Sequence, residues 1–187
     1  DPQQLNPVIL LGELTNKKLR RRYHVSDEYD YRENSIYKTY LACDAVSDEV
    51  LLRNHYRCNK EIIGFNNKKY YNSKLKIQSK SKEPEPLVYM DVKSDNTQIK
   101  NTSPAEVEEV VEYALLNKDK SIAVITPFVN QKQLIENAIK QNKLSNLVCG
   151  TVHAFQGDEK DVVLFSTAIS ERTSSGTYNW LKNNKEL

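Results

Sequence analysis

The segment Gly150–Asp161, GTVHAFQGDEKD, combines the kinds of side chain that contact phosphates and sugars. Its first polar groups are a hydroxyl, an imidazole and an amide, from Thr151, His153 and Gln156. Gly157 permits a close turn of the backbone, because glycine has no Cβ atom. The segment therefore indicates a site for a ligand that contains phosphate and sugar. An equal alternative is a structural turn in which Thr151 and His153 are hydrogen-bonded scaffold.

A second segment, Leu51–Cys58, reads LLRNHYRC. An arginine at the junction of a strand and a helix, here Arg57, suits a phosphate because its planar guanidinium donates two parallel hydrogen bonds. The neighbouring Tyr56 offers a flat apolar face for a base. Alternatively, the tyrosine lies in a core and the arginine pairs with a surface carboxylate. From this segment alone, the second interpretation is favoured.

Two shorter segments carry less information by themselves. Asp1–Pro7, DPQQLNP, is too short for a physical interpretation. Thr126–Gln131, TPFVNQ, places a proline turn directly after a buried type of strand. The alternative for TPFVNQ is a plain loop between a strand and a helix.

The second half of the chain has the pattern of a mostly parallel sheet covered by helices. Ser103 can cap one helix, with Pro104 at its first position and Glu106 completing a capping box. Apolar residues at helical spacing within Leu134–Ile139 predict another helix. Ligands of such sheets bind beyond the carboxyl ends of the strands. The predicted strands are Leu87–Met90, Ile122–Ile125, Leu147–Val152 and Val162–Ala168.

The first half of the chain is less regular. Residues 15–33 are dense in charge and predict a loop or mobile segment. An Asn-Ser pair at residues 34–35 can cap one helix, and Asn59 can cap a second. Val50–Leu52 predicts a short strand between these helices. Residues 72–86 are rich in lysine and end in two prolines, which predicts an exposed connection.

The composition fits one globular domain of 187 residues, with 39% hydrophobic and 28% charged residues. No apolar run approaches the roughly 18 residues of a membrane span, and no signal peptide is visible, so we expect no membrane contact. The three cysteines lack CxxC spacing. This spacing argues against a disulfide scaffold or a thiolate zinc site and predicts an intracellular, cytoplasmic protein.

The net charge of +2 is unevenly distributed. Residues 1–82 contain 16 basic and 10 acidic residues, and residues 83–187 contain 11 and 15. The basic half could face a polyanion. On charge alone, ordinary solvated surface is the favoured explanation.

Taken together, the four segments resemble motifs III, IV, IVa and V of the superfamily 1 helicases, in the family's order. DPQQLNP resembles motif III, LLRNHYRC motif IV, TPFVNQ the TPYxxQ element, and GTVHAFQGDEKDVV motif V. The resemblance is to the branch of RNA-decay and DNA-replication translocases that move 5′ to 3′. It extends from Asp1 to about Ala168 and implies a RecA-like P-loop NTPase fold, an α/β class with a mostly parallel sheet flanked by helices.

The resemblance implies catalytic roles for three residues. Gln4 matches the motif III glutamine that senses the γ-phosphate. Arg57 matches the motif IV arginine that contacts the γ-phosphate across the cleft between two motor domains and stabilises charge in the transition state. Gln156, with Gly157, matches the part of motif V nearest the γ-phosphate.

The resemblance also implies contacts to the rest of the nucleotide and to a nucleic-acid strand. Tyr56 matches the aromatic residue that packs against the adenine, and Glu159 matches the acidic residue that binds the ribose hydroxyls. Gly157 belongs with these nucleotide contacts. Backbone contacts to the strand would recognise phosphates and sugars rather than sequence. The positions that match this track are Thr126, Pro127, Thr151 and His153.

Three elements of the full family pattern are not found in the sequence. It contains no GxxxxGK[ST] phosphate loop and no acidic DExx segment for magnesium, both of which belong to the family's first motor domain. We therefore expect residues 1–33 to be the end of that domain, with motif III and a linker. Residues 34–187 would then be the second RecA-like domain, without motif VI.

The expected cofactors are ATP and Mg²⁺, with the Mg²⁺ ligands in the first motor domain. The expected partners are single-stranded DNA or RNA and the first RecA-like domain of the same parent chain, in a monomer. Because phosphoryl transfer needs all its groups in position at once, we expect the isolated fragment to be inactive. The alternative function is a non-catalytic RecA-like interaction module with vestigial motifs.

Overall fold

The structure is a computed structural model that describes residues 9–43, 48, 50–81, 83–93 and 99–183. The chain divides into two compact units, Asp1–Tyr89 and Met90–Leu187. Each unit contains a parallel sheet with helices in the surrounding sequence, which confirms the predicted mixed α/β class and is consistent with a RecA-like fold. In the described ranges, every helix is too short or too polar to cross a membrane.

The first unit contains a parallel pair of short strands. Asn54 of one strand pairs with Lys76 of the other, and His55 pairs with Ile77. A 3₁₀ turn spans Asp27–Tyr29. The helices and strands are α1 (Glu13–Arg22), α2 (Ile36–Cys43), β1 (Asn54–His55), α3 (Lys60–Tyr70) and β2 (Lys76–Ile77).

Both predicted helix starts in this unit are confirmed. The Ser35 hydroxyl accepts a hydrogen bond from the Lys38 N–H at 3.3 Å before α2. The Asn59 side chain accepts one from the Glu61 N–H at 3.0 Å before α3. Each bond satisfies a backbone donor that the first turn of a helix cannot satisfy by itself.

The prediction of a loop over residues 15–33 is wrong, because α1 occupies much of this range. Arg20 of this helix donates to the Asp30 carboxylate at 2.5 Å, and Asn16 donates to the same carboxylate at 2.9 Å. Both Asn16 and Asp30 are buried. The helix is therefore anchored by polar bonds, and it lacks the apolar periodicity by which a packed helix is recognised in a sequence.

Two strand predictions are also wrong. The strand predicted at Val50–Leu52 lies instead at β1, and residues 87–90 form no strand. The side chains of Leu52 and Tyr89 are 86% and 88% exposed. A short apolar run becomes a strand only where a neighbouring strand pairs with its backbone. The predicted connection over residues 72–86 is largely exposed but contains β2.

The second unit contains a three-stranded sheet, and all its strands are parallel, in the order β4-β3-β5. A 3₁₀ turn follows β4 at Val152–Phe155. The elements are α4 (Pro104–Leu116), β3 (Ile122–Ile125), α5 (Val129–Gln141), β4 (Leu147–Gly150), β5 (Val162–Phe165) and α6 (Ser175–Asn183). The predicted strand at Ile122–Ile125 is confirmed, while β4 and β5 end earlier than predicted.

The core of the second unit surrounds the central strand β3. Ile122 and Val124 of this strand are fully buried and pack with Ile135 of α5. The other members of this apolar cluster come from α4, β4 and the loop before β4: Val110, Ala114, Leu144 and Leu147. The cluster fixes α4 and α5 against the sheet and so determines where the loops at its carboxyl edge begin.

The predicted capping box of α4 is only half formed. The Ser103 hydroxyl accepts a hydrogen bond from the Glu106 N–H at 3.3 Å, as a capping residue should. The Ser103 N–H, however, donates to the side-chain oxygen of Gln131 at 2.8 Å. The bond that Glu106 is predicted to accept from the Ser103 N–H is therefore accepted by Gln131, in the first turn of α5.

Candidate functional site

The carboxyl ends of the three strands in the second unit are level with one another. Ile125, the last residue of β3, pairs with Gly150 on one side and with Phe165 on the other. Two further backbone bonds extend the pairing: Thr126 N–H to Gly150 O at 3.1 Å, and Ser166 N–H to Ile125 O at 2.9 Å. The segments that follow β3 and β4 therefore leave the sheet at one edge, where parallel sheets bind ligands.

At the end of β3, Thr126 turns the chain into α5. Its side chain is fully buried, and its hydroxyl accepts a hydrogen bond from the Phe128 N–H at 3.4 Å. The Thr126 hydroxyl is therefore not available at the surface of the described structure. Pro127, the next residue, is half-buried, so part of it is accessible.

After β4 the chain makes a tight turn that requires a glycine. Thr151 precedes the 3₁₀ turn, and its carbonyl oxygen accepts a hydrogen bond from the Ala154 N–H at 2.9 Å. A Cβ atom at Gly150 would lie only 2.9 Å from side-chain atoms of both Ala154 and Phe155. Gly150 thus allows the turn to fold back on the strand and leaves Thr151 and His153 half-buried at the edge.

The turn continues into an exposed loop with a left-handed residue. Gly157 has φ of +88°, a conformation that costs a glycine little. The Asp158 N–H donates to the Phe155 carbonyl oxygen at 3.0 Å, and the space where a Gly157 Cβ would lie is empty for 4 Å. Gln156, Gly157 and Glu159 are consequently presented at the surface within a few residues of one another.

The acidic residues of this segment differ in their surroundings. A hydrogen bond from Lys160, at 3.0 Å from the Asp158 carboxylate, lowers the pKa of Asp158. The Asp161 carboxylate accepts hydrogen bonds from the hydroxyl of Ser121 at 2.6 Å and from its N–H at 2.8 Å, and these bonds lower the Asp161 pKa. Asp161 therefore ties the start of β5 to the start of β3, a structural role that the sequence segment did not reveal.

In the first unit, Tyr56 and Arg57 occupy a short loop between β1 and α3. The His55 Nε2 accepts a hydrogen bond from the Cys58 N–H at 2.9 Å, which closes the loop at its base. Burial of His55, with a smaller effect of the Arg57 charge, lowers the His55 pKa and favours the neutral ring that accepts this bond. Both residues inside the loop are exposed, and Tyr56 is 67% exposed.

The structure thus distributes the ten predicted site residues over several places. Gln4 lies outside the described residues. Tyr56 and Arg57 share one loop of the first unit. The remaining residues belong to the carboxyl edge of the second sheet and the loop beyond it: Thr126, Pro127, Thr151, His153, Gln156, Gly157 and Glu159.

The residues that shape these loops have functions that the sequence does not reveal. Gly150 and His55 appear within the quoted segments, but their functions as a close-packing glycine and a loop-closing acceptor depend on contacts. Gln131, the last residue of TPFVNQ, is fully buried and bonded to three groups. Within the described ranges, no group of three or more acidic, histidine or cysteine residues could hold a metal ion. The arrangement offers hydrogen-bonding groups for a phosphate-containing ligand.

The chain is similar to a protein family and to several known proteins. Residues 32–187 match the family described as "AAA domain". The "Probable helicase with zinc finger domain" of Homo sapiens is 28% identical over 156 residues, covering 74% of this chain and 8% of that protein. "RNA helicase Mov10l1" of Mus musculus is 24% identical over 204 residues, covering 91% of this chain and 17% of that protein.

A fungal protein gives a similar result. "Helicase sen1" of Schizosaccharomyces pombe is 26% identical over 197 residues, covering 91% of this chain and 11% of that protein. The chain therefore spans less than a fifth of the length of these relatives. Their names and the family match support the superfamily 1 helicase family that the four sequence segments indicate. Because the family match covers most of its length, the chain belongs to the AAA domain family.

Proposed function

We propose that the chain contains the second RecA-like motor domain of an ATP-dependent helicase or translocase of superfamily 1, in the branch that moves 5′ to 3′. The observation that carries this proposal is the level carboxyl edge of the second sheet, where TPF follows β3 and GTVHAFQGDE follows β4. The family match and the helicase names of the relatives support it.

At this edge, Pro127, Thr151 and His153 contact the backbone of a single strand of DNA or RNA. All three are half-buried, so their orientation is restricted while part of each remains accessible. Thr126 contributes through the turn that it stabilises, since its hydroxyl is bonded to the Phe128 N–H. Contacts of this kind bind phosphate and sugar and tolerate any base sequence.

The exposed loop after the 3₁₀ turn contacts ATP. Its residues fit a nucleotide because Gly157 leaves open space at a left-handed turn and Glu159 is exposed two residues later. Gln156 faces the γ-phosphate, and Glu159 accepts hydrogen bonds from the ribose hydroxyls. ATP supplies the phosphoryl group that is transferred to water. The Mg²⁺ ligands and the phosphate loop belong to the first motor domain.

The resemblance of LLRNHYRC to motif IV assigns nucleotide contacts to Tyr56 and Arg57 as well. The Tyr56 ring packs on the adenine, and the Arg57 guanidinium, together with Gln4, contacts the γ-phosphate and stabilises the charge of the transition state. The closed loop between His55 and Cys58 supports these roles, because it presents both side chains outward.

The remaining parts of the proposal concern the whole protein. Residues 1–33 end the first motor domain and link it to residues 34–187. The protein acts as a monomer inside the cell, and its partners are a single strand and its own first motor domain. The chain by itself does not hydrolyse ATP, because it supplies one side of a divided site.

The proposal is tested in the intact protein that contains this chain, by measuring ATP hydrolysis with and without single strands. Arg57→Ala should lower turnover by roughly 10³–10⁵, the range for arginine fingers. It should leave strand binding without nucleotide unchanged. The matched control is Arg53→Ala, an exposed arginine four residues earlier. Wild-type turnover in Arg57→Ala would contradict the assigned role, and a wild-type protein without strand-stimulated hydrolysis would instead favour a non-catalytic interaction module.

A second experiment tests how the segment after β4 is divided. Thr151→Ala combined with His153→Ala should weaken strand affinity and flatten its salt dependence, because fewer counterions are released. Gln156→Ala should impair hydrolysis with strand affinity unchanged, and Glu159→Ala should raise the KM for ATP. Equal loss of both activities in all folded variants would contradict this division.

A further inference from the structure

Three polar side chains connect α4, α5 and β5 in a closed ring of hydrogen bonds beside the carboxyl edge of the second sheet. The Ser103 N–H donates to Gln131 Oε1 at 2.8 Å, and Gln131 Nε2 donates to the Ser103 carbonyl oxygen at 3.1 Å. Gln131 Nε2 also donates to Ser166 Oγ at 3.0 Å. The Ser166 hydroxyl donates to Glu106 Oε2 at 2.6 Å, and Glu106 returns the ring to α4.

The ring is buried at its centre, while Ser103 and Glu106 are half-buried. Gln131 is fully buried and Ser166 is 4% exposed. Both amide hydrogens of Gln131 are donated, and its oxygen accepts one bond. Buried polar groups that lose a partner are costly, so each bond supports the direction of the next.

The Gln131 amide oxygen accepts the hydrogen bond that the sequence predicts for Glu106. A capping-box glutamate accepts a hydrogen bond from the N–H of the capping residue. Here Gln131 accepts that bond from Ser103, which releases the Glu106 carboxylate to reach the end of β5. There it accepts hydrogen bonds from the Ser166 hydroxyl and, at 3.1 Å, from the Ala168 N–H.

The Glu106 carboxylate bonds to the segment after β5 where the backbone conformation is unfavourable. Ala168 has φ of +47° and is 5% exposed. A residue with a Cβ atom adopts this left-handed conformation at a cost, so other contacts must maintain it. Glu106 provides such a contact through the Ala168 N–H.

We propose that Glu106, Gln131 and Ser166 are positioning residues for nucleic-acid binding. They hold the exit of β5 in register with the exits of β3 and β4, and they fix the turn before α5 at its helical end. Gln131 lies four residues after Pro127. The turn that contains Pro127 is therefore fixed by β3 at its start and by the ring at its end. The inference rests on the proposed function, because it assigns the ring to the strand contacts at that edge.

The test uses the intact protein and measures the concentration of single strand that gives half-maximal stimulation of ATP hydrolysis. Glu106→Ala and Gln131→Leu should each raise this concentration by about tenfold, as expected for a lost buried hydrogen bond. Basal hydrolysis without strand should change less than about twofold, since the ring is assigned no contact with ATP. The matched controls are Glu109→Ala and Gln133→Leu, exposed residues of the same two helices, which should leave both quantities unchanged.

A conservative variant separates positioning from general stability. Glu106→Gln keeps an oxygen that can accept from Ser166 and Ala168. The single-strand concentration for half-maximal stimulation should therefore be near that of the wild type. Hydrogen exchange of the Ala168 amide should be accelerated in Glu106→Ala and not in Glu106→Gln. If Glu106→Ala does not fold, Ser166→Ala takes its place for the single-strand measurement, because this variant keeps the Glu106 bond to the Ala168 N–H.

The outcomes distinguish this inference from the proposed function. An unchanged single-strand concentration for half-maximal stimulation in Glu106→Ala and Gln131→Leu would overturn the inference and leave the helicase proposal intact. Equal impairment of Glu106→Gln and Glu106→Ala would also overturn it. If the wild-type protein neither binds strands nor is stimulated by them, the proposed function fails. The Ala168 exchange then reports separately whether the ring holds the exit of β5.

Discussion

The two compact units of the chain are stabilised by different kinds of contact. In the second unit, seven buried apolar residues form one cluster around β3. In the described part of the first unit, Ile63 is the buried apolar side chain, while Asn16, Asp30, Asn59 and Asn67 are buried polar residues. The second unit therefore combines a large apolar cluster with buried polar bonds such as those of Gln131, whereas the first depends mainly on specific hydrogen bonds.

This difference matters for the loops that carry the candidate site residues. In the first unit, Asn67 binds both the N–H and the carbonyl oxygen of Leu75 and so positions the chain before β2. Asn59 reaches Ser81 and the carbonyl oxygen of Glu83 in the same way. Hydrogen bonds depend on distance and angle, whereas apolar burial does not depend on direction. The loop of Tyr56 and Arg57 should therefore be sensitive to substitution of Asn59 or Asn67.

The largest expected effect is on the apolar cluster of the second unit. Ile135→Ala should lower the free energy of unfolding by about 3 kcal/mol, because it leaves a cavity beside β3. Ile63→Ala in the first unit, where the side chain is 8% exposed, should cause a smaller loss. Urea unfolding followed by circular dichroism measures both. A larger loss for Ile63→Ala would contradict the contrast between the units.

The next effect concerns the polar anchor of α1. Asp30→Ala removes the acceptor for Asn16 and Arg20 and should destabilise the first unit. The loss of stability should be smaller than that caused by Ile135→Ala in the second unit. The matched control is Asp27→Ala, which also bonds Arg20 but has a side chain that is 99% exposed. An exposed ion pair contributes little, so this control should unfold nearly as the wild type does. Equal effects of the two substitutions would show that burial of Asp30 is unimportant.

A smaller effect is expected at the left-handed turn of the second unit. Gly157→Ala should cost about 1 kcal/mol, because a Cβ atom strains the backbone at φ of +88° even where space is open. Gly176→Ala is the control, since it lies in α6 with open space around it and should be neutral or slightly stabilising. Thermal unfolding of the two variants measures the difference. Equal unfolding temperatures would contradict the strain expected at Gly157.

The smallest effect is a local dependence on pH in the first unit. The lowered His55 pKa means that the neutral ring is favoured by folding, so its contribution is complete above about pH 6.5. The contribution is lost as the pH falls through the folded-state pKa, because protonated His55 cannot accept from Cys58. An NMR titration should give a His55 midpoint below 6.5, with the Cys58 amide shift changing in parallel. His55→Gln should abolish the change at Cys58, and a midpoint above 6.5 would contradict the assignment.

The sequence was informative where local chemistry determined the structure. The caps at Ser35, Asn59 and Ser103 could be predicted, because a short polar side chain before a helix satisfies its free N–H groups. The buried strand Ile122–Ile125 could be predicted from its continuous apolar run. Helix α1 could not, because its anchor joins Asn16 and Arg20 to an aspartate further along the chain.

The sequence by itself determined the parallel α/β class of the chain, the order of the four motif segments and the residues at the ends of β3 and β4. These features depend on apolar periodicity and on residue types within short windows. The tertiary structure decided which groups face a ligand: it buried Thr126, closed the loop below Tyr56 and Arg57, and gave Gln131 the bond predicted for Glu106. Such outcomes depend on which distant backbone groups meet inside the fold, and a local pattern does not contain that information.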